Sequence, residues 1–199
     1  MLTAHALCAQ AVTAGGIAAF PLTDTFDTGF IYRGTFVPKT VRYQVGPAVD
    51  FRLPGSFRVE VDALYQPFSF NQSVFSFPFW QSHTSGNLWQ FPAVLKFRVP
   101  APLLKPFIEA GPSAQIATNI TETLTSFVQP TPLVSHPDPT SKAVAGIVFG
   151  GGIDLRLGHF LVSPQVRYTR WIRENFDFSE SDHVGSHLNQ IQALLSIRL

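Results

Sequence analysis

The feature that most constrains the fold is the alternation in residues 42–53, RYQVGPAVDFRL. Every second position from Tyr43 to Leu53 is apolar, whereas the positions between them are polar or small. Successive side chains of a β-strand point to opposite faces, so this pattern predicts a strand between one apolar and one polar environment. The apolar face meets either a protein core or lipid, and this strand alone leaves both alternatives open.

Seven other segments repeat the pattern, and the connections between them alternate between long and short. The short connections follow Leu53, Val99 and Leu157. An even number of antiparallel strands, with short turns on one side and long loops on the other, is typical of transmembrane β-barrels. We therefore predict an all-β fold, an eight-stranded antiparallel up-and-down transmembrane β-barrel over residues 12–199. The predicted strands are residues 12–20, 42–53, 57–68, 88–99, 105–118, 142–157, 160–171 and 187–199.

The composition agrees with a membrane barrel. Only 14% of the residues are charged, against roughly 25% in soluble domains. No run approaches the 18 consecutive apolar residues of a transmembrane helix, and a net charge of +1 provides no basic field for nucleic acid. Cys8 is the only cysteine, which excludes an intrachain disulfide. Residues 1–11 end in an Ala-x-Ala shape and are interpreted as a signal-peptide remnant, with a plain strand extension as the alternative.

The charged residues are sorted by face, but alternation does not say which face lies inside. The strand lengths and the aromatic residues near the ends of the apolar faces favour lipid outside. We therefore expect Val49 and Phe51 in lipid. The alternative is a soluble lipocalin-like carrier of a small apolar ligand, which would place Phe51, Phe91 and Phe97 inside.

An eight-stranded barrel has an interior that side chains just fill, and unpaired charges there would be very costly. We therefore predict a charge network without an open channel, and interpret it as a filling that specifies the fold. A proton path or gated conductance is the alternative. At its centre we expect Glu60, Asp62 and Glu109 with Arg98, Arg156 and Arg167. The predicted network comprises Asp50, Arg52, Arg58, Glu60, Asp62, Lys96, Arg98, Glu109, Asp154, Arg156 and Arg167.

Several of these segments resemble the bacterial outer-membrane β-barrel domain family, of the OmpA-barrel and OmpX type. The resemblance implies an eight-stranded barrel in the bacterial outer membrane and says little about activity. Two positions depart from the family pattern: Ile17 stands where a Lys is common, and the last residue is Leu199 where an aromatic is usual. The residues that carry the resemblance are 20–26, 42–65, 88–99, 105–113, 150–158 and 163–171.

Two groups of loop residues are candidates for chemistry. His83-Thr84-Ser85, with Glu174 or Asp177, has the residue types of a lipid A deacylase, but the triplet falls in a predicted loop instead of on a lipid-facing strand. The other group is His183 and His187 with Asp182, which contains metal-ligand types. We interpret these histidines as exposed loop residues and predict no catalytic residue, metal or cofactor.

The segment SVFSFPFW, residues 73–80, is unusually aromatic. It is interpreted either as a rim that packs on itself or on lipopolysaccharide acyl chains, or as an adhesive or partner-binding surface. The predicted function is a non-enzymatic integral outer-membrane protein whose external loops serve binding, adhesion or envelope integrity. The expected partners are outer-membrane lipid, lipopolysaccharide and the barrel-assembly machinery, with a monomeric state. The alternatives are the lipocalin-like carrier and a lipid A-modifying enzyme.

Overall fold

The computed structural model describes an all-β chain. Within the described residues, no helix is long and apolar enough to cross a bilayer. The described residues are 12–28, 34–39, 41–75, 79–101, 104–126, 131–136, 143–174 and 184–199. The strands are β1 (Val12–Pro21), β2 (Phe26–Thr28), β3 (Gly34–Lys39), β4 (Gln44–Arg52), β5 (Phe57–Asp62), β6 (Leu64–Val74), β7 (Trp80–Arg98), β8 (Leu104–Ser126), β9 (Leu133–Ser135), β10 (Ala143–Leu157), β11 (Phe160–Trp171), β12 (Val184–Ser186) and β13 (Asn189–Arg198).

The described strands close into a barrel. Strand β1 pairs with β4 on one side and with β13 on the other, and every pairing in the ring is antiparallel. The eight barrel strands are β1, β3 with β4, β5 with β6, β7, β8, β10, β11 and β13. This arrangement confirms the predicted eight-stranded up-and-down barrel. The predicted signal remnant, residues 1–11, lies outside the described residues.

The barrel is apolar outside and polar inside. Phe51 is 41% exposed, whereas its neighbour Asp50 is 1% exposed. Phe91 and Phe97 also face outward, at 38% and 39% exposure. A lipocalin-like carrier would have these three phenylalanines facing the interior. The structure places all three on the outer face instead.

Two aromatic pairs mark the borders of the apolar band. Tyr65 and Trp89 lie side by side with ring centroids 5.2 Å apart, and Phe57 and Phe97 form a second pair at the same distance. Eight residues of strand separate the pairs, which is about 27 Å along the strand at ~3.4 Å per residue. With a tilt of about 40° the band is roughly 21 Å tall, close to the ~25 Å of outer-membrane barrels. Val61 lies midway between Phe57 and Tyr65.

Several strands continue well beyond this band, at the end of the barrel with the long connections (the loop end). The prediction that residues 69–87 form a long connection between two strands is wrong, because β6 continues to Val74 and β7 begins at Trp80. The Ser, Thr, Asn and Gln residues of these extensions show no hydropathy pattern that would predict a strand. They form strands because they pair continuously with the neighbouring strands. These extensions form the projecting sheet, which comprises residues 34–39, 66–74, 80–88, 118–126 and 133–135 of β3, β6, β7, β8 and β9.

A small second sheet lies at the loop end. Strands β2 and β12 pair with each other, and the backbone N–H of His187 donates to the carbonyl of Thr25 at 3.1 Å. The preceding segment is held in the same way, since Leu22 N–H donates to the carbonyl of Ile191 at 2.8 Å. These bonds fix residues 22–28 so that the Phe26 side chain is buried, 4% exposed.

Candidate functional site

The centre of the lumen is built on Arg167, which is 1% exposed. Its guanidinium donates through three different nitrogens: Nε to Glu109 at 2.6 Å, Nη1 to Asp62 at 2.6 Å and Nη2 to Glu60 at 2.5 Å. The carboxylates come from β5 and β8, and the arginine comes from β11, which lies opposite β5 in the ring and is separated from β8 by β10. One side chain therefore connects distant strands across the lumen with charge-assisted hydrogen bonds.

A second cation lies beside Arg167. The Lys96 ammonium is 2.8 Å from Glu60 Oε1 and 3.2 Å from Glu109 Oε2, and it donates to Gln165 Oε1 at 3.0 Å. It also stands 4.4 Å from the centroid of the Phe107 ring, which is cation–π distance. The three donor positions of the ammonium are thus matched by oxygens, and its charge is shared by two carboxylates.

Arg198 extends the network toward the end of the barrel with the short connections (the turn end). Its Nη1 contacts Asp50 and lies 2.6 Å from Glu60 Oε2. Its Nη2 donates to the hydroxyls of Ser163 at 2.9 Å and Ser196 at 3.0 Å. Because Glu60 also contacts the two central cations, Arg198 joins the central group to the turn-end group in one connected network.

The turn-end group contains the remaining buried ions. Arg98 Nη2 lies 2.5 Å from Asp154 Oδ2 and 3.6 Å from Asp50 Oδ2. Arg58 donates to Asp50 at 3.3 Å, and the Ser163 hydroxyl donates to Asp154. Among the described residues, the network holds five cations and five anions, so these charges cancel: Arg58, Lys96, Arg98, Arg167 and Arg198 with Asp50, Glu60, Asp62, Glu109 and Asp154.

This network agrees in part with the one expected from the sequence. Glu60, Asp62 and Glu109 do meet on Arg167, and Arg98 pairs with Asp154. The structure places Arg52 and Arg156 outside the buried network, because Arg52 is the last residue of β4 and Arg156 the last but one of β10, where the barrel opens. Arg198 belongs to the buried network, although it is not among the residues expected from the sequence. Its alternation with Gln192 and Ser196 in the last strand was the signal for including it.

Above the ions, toward the loop end, lies a layer of buried glutamines. Gln192 Nε2 donates to Gln44 at 2.7 Å and to Gln90 at 3.2 Å, and Gln44 donates to Gln66 at 2.8 Å. Gln66 in turn donates to the backbone carbonyl of Val41 at 2.6 Å. An amide carries both donors and acceptors, so glutamines can bond to one another in a chain without charge.

The loop end of the interior is apolar. Phe26 packs against Phe36, Phe68 and Phe70, with ring centroids 5.3–5.9 Å apart. Leu88, Ala117 and Ile120 complete the cluster. Sequence reasoning missed this cluster, because Phe26, Phe36 and Phe70 lie outside the predicted strands. The lumen is therefore filled in three layers: ions, glutamines and phenylalanines.

The outer face of the projecting sheet carries His83 and Ser85. Both were expected in a loop, but they lie on β7, two residues apart and therefore on the same face of the strand. His83 Nδ1 is 2.5 Å from Asn71 Oδ1 on β6. A groove of about 710 Å³ runs along this face and includes His83, Ser85, Asn71 and Asn87 in its walls.

The remaining loop candidates are only partly described. Asp177, Asp182 and His183 lie outside the described residues. Of the aromatic segment 73–80, residues 76–78 also lie outside them, whereas Phe75 and Phe79 are described and are 55% and 45% exposed. These two rings stand where β6 ends and β7 begins, at the far end of the projecting sheet.

Comparison with solved structures identifies the fold. Neisserial surface protein A is 12% identical in sequence with a TM-score of 0.51, over 94% of this chain and 96% of that one. The chain has the fold of a transmembrane β-barrel. Two more barrels align with lower TM-scores. Ail, the attachment invasion locus protein of Yersinia pestis, solved with the heparin analogue sucrose octasulfate, is 8% identical with a TM-score of 0.40, over 95% of this chain and 99% of that one.

The N-terminal β-barrel domain of Pseudomonas aeruginosa OprF is 12% identical with a TM-score of 0.35, over 94% of this chain and 99% of that one. At these identities the likeness concerns the fold. No protein-family model matches the chain, and no curated protein matches it.

Proposed function

We propose that this protein is a non-enzymatic, monomeric protein of the bacterial outer membrane, in which a closed barrel anchors an external binding surface. The observation that carries the proposal is the contrast between the two parts of the barrel. The membrane part is filled by the ion network and the glutamine layer, while the projecting sheet extends beyond it. A closed lumen suits an anchor better than a pore.

The size of the projecting sheet supports a binding role. Nine residues of β7, from Trp80 to Leu88, lie beyond the girdle residue Trp89. At ~3.4 Å per residue and a tilt of about 40°, they reach roughly 23 Å above the apolar band. Phe75 and Phe79 at its far end are exposed aromatic rings, and such residues are enriched where proteins bind partners. Lipopolysaccharide surrounds the base of such a sheet, and the barrel-assembly machinery would insert it.

The anchoring half of the proposal is tested by extraction and conductance. The protein should remain in the membrane pellet after carbonate washing, and the purified barrel in planar lipid bilayers should give no discrete conductance steps. Recovery in the carbonate-soluble fraction, or reproducible channel openings, would contradict a closed membrane anchor.

The binding half is tested at the aromatic tip. Cells that display the protein should aggregate or adhere to an apolar surface, and Phe75→Ser with Phe79→Ser should reduce that adhesion. The matched control is Phe160→Ser, the same chemical change at an exposed phenylalanine of the turn end. Equal adhesion by cells with the wild-type chain and with the tip variant would contradict binding through this surface.

A second candidate function, removal of an acyl chain from lipid A, is favoured by the outward placement of His83 and Ser85. When His83 Nδ1–H donates to Asn71 Oδ1, its Nε2 is left as a hydrogen-bond acceptor. A general base needs such an acceptor to take the proton from Ser85 Oγ. An amide orients the imidazole but does not stabilise its charged form as a carboxylate does. Mass spectra of lipid A from a host with wild-type or Ser85→Ala protein decide it. An unchanged acyl pattern with the wild-type chain removes the candidate.

A further inference from the structure

The turn end of the barrel has an uneven charge distribution. The short connections, residues 53–56, 99–103 and 158–159, contain no Asp or Glu. Five basic residues surround the opening of the lumen at this end: Arg52 on β4, Arg58 on β5, Arg98 on β7, Lys105 on β8 and Arg156 on β10. They come from five successive barrel strands, and we refer to them as the basic mouth.

The basic mouth lines two clefts that are open to the outside of the barrel. One, of about 370 Å³, includes all five basic residues in its wall. The other, of about 590 Å³, shares Arg52, Arg58, Arg98 and Lys105 with it. Both volumes fall in the range of small-ligand sites, roughly 300–1,000 Å³.

The acids near the mouth do not balance these charges. Asp154 is the acid in the wall of the smaller cavity, and its carboxylate already pairs with Arg98 and accepts from Ser163. Asp50, deeper in the lumen, is shared by Arg58, Arg98 and Arg198. Since the buried network is neutral by itself, three basic side chains of the mouth exceed the acidic side chains that the structure describes there: Arg52, Lys105 and Arg156.

The strand register adds an independent observation. Arg52 and Arg58 are directly opposite each other in the β4–β5 pairing. Like charges in this position destabilise a sheet unless an anion lies between them. Lys105 is opposite Asp154 and so shares its lumen-facing side. The basic groups therefore point toward the barrel axis and not toward the surrounding lipid.

We propose that the basic mouth binds a small, multiply charged anion that bears phosphate or carboxylate groups and enters from the turn-end compartment. Four of the five residues are arginines, whose planar fork of donors matches both oxyanions with paired hydrogen bonds. The anion would separate Arg52 from Arg58 and neutralise the excess charge. A lipid headgroup offers the same phosphate chemistry, but the axial direction of the side chains favours a soluble anion.

The test uses the full chain, refolded in zwitterionic detergent, with inorganic pyrophosphate as the probe. Calorimetry at low salt should show one saturable site per barrel. Arg52→Gln should weaken binding about tenfold or more, as expected for loss of a hydrogen bond to a charged group. Lys39→Gln, which removes an exposed positive charge at the loop end, should leave the affinity unchanged.

Unfolding in urea provides a second readout. Without pyrophosphate, Arg52→Gln should raise the midpoint because it relieves the repulsion with Arg58, and with pyrophosphate the midpoint of the wild type should rise more than that of the variant. The proposal is overturned by an absence of saturable heat and of any midpoint shift in the wild type. It is also overturned by an equal loss of affinity in Lys39→Gln.

Nanodiscs distinguish the two sources of phosphate. With phosphatidylcholine alone, pyrophosphate should bind as it does in detergent. Addition of phosphatidylglycerol should weaken pyrophosphate binding to the wild type only slightly, through the negative surface charge that it gives the bilayer. If phosphatidylglycerol abolishes binding to the wild type, the mouth is occupied by a lipid headgroup and the assignment to a soluble anion is wrong.

Discussion

Replacement of Arg167 by methionine should destabilise the barrel strongly. The change removes three charge-assisted hydrogen bonds of 2.5–2.6 Å and leaves Glu60, Asp62 and Glu109 buried. Lys96 still contacts two of these carboxylates, but within the part of the chain that the structure describes Asp62 pairs with no other cation. Loss of one partner from a buried ion pair costs about 3–5 kcal/mol, and we expect a loss of unfolding free energy in that range.

The measurement is equilibrium urea unfolding of the refolded barrel in phospholipid vesicles, followed by tryptophan fluorescence. Arg173→Met, an exposed arginine shortly after the same strand, is the control and should change the free energy by less than about 0.5 kcal/mol. Adding Asp62→Asn to Arg167→Met should recover part of the loss, because it removes the carboxylate that was left alone. A cost below ~1 kcal/mol, or further destabilisation by Asp62→Asn, would refute the argument.

Three other changes test the packing of the barrel. Val61→Arg, at the middle of the apolar band, should lower the free energy of unfolding in vesicles by about 2–4 kcal/mol. Leu133→Arg on β9, above the band, should lower it little, and equal losses for the two variants would mean that the band is misplaced. Gly15→Ala should destabilise by about 1–3 kcal/mol, since its Cβ would lie 2.0 Å from the Ile197 carbonyl oxygen. Gly16→Ala is the control, because its Cβ would meet nothing closer than 3.9 Å, and similar urea midpoints for the two variants would contradict that geometry. Phe26→Ala should cost about 3–5 kcal/mol by opening the phenylalanine cluster, and proteolysis of residues 22–28 at the wild-type rate would argue against that role.

The membrane part of the fold could be predicted from the sequence because apolar residues alternate with polar or small residues along each of its strands. In β4 the alternation of Phe51 with Asp50 predicts that one side chain faces outward and the next faces the lumen. The structure confirms both directions. The charges of the lumen were also predictable, since a buried ion requires a partner and the interior of a narrow barrel supplies one. Which ions meet was not predictable, because Arg167 reaches carboxylates on distant strands whose stagger the sequence does not report.

The loop end could not be predicted in the same way. His83 and Ser85 lie in a polar stretch without a lipid-facing side, so periodicity says nothing about them, and their strand exists because β6 and β8 pair with it. Phe26 is similar, since its burial depends on backbone bonds between residues far apart in the chain. At the rim, Arg52 and Arg156 follow the alternation of the lumen face but are exposed because the barrel ends there.

The central claim is that the apolar face of the barrel meets lipid while the charged face is closed inside. The most direct measurement places a fluorescent label at Val61→Cys in a Cys8→Ser background, in vesicles that contain lipids brominated at mid-chain. The label should be quenched by the brominated lipid and protected from iodide in the water. Quenching by iodide, with no effect of the brominated lipid, would contradict the claim.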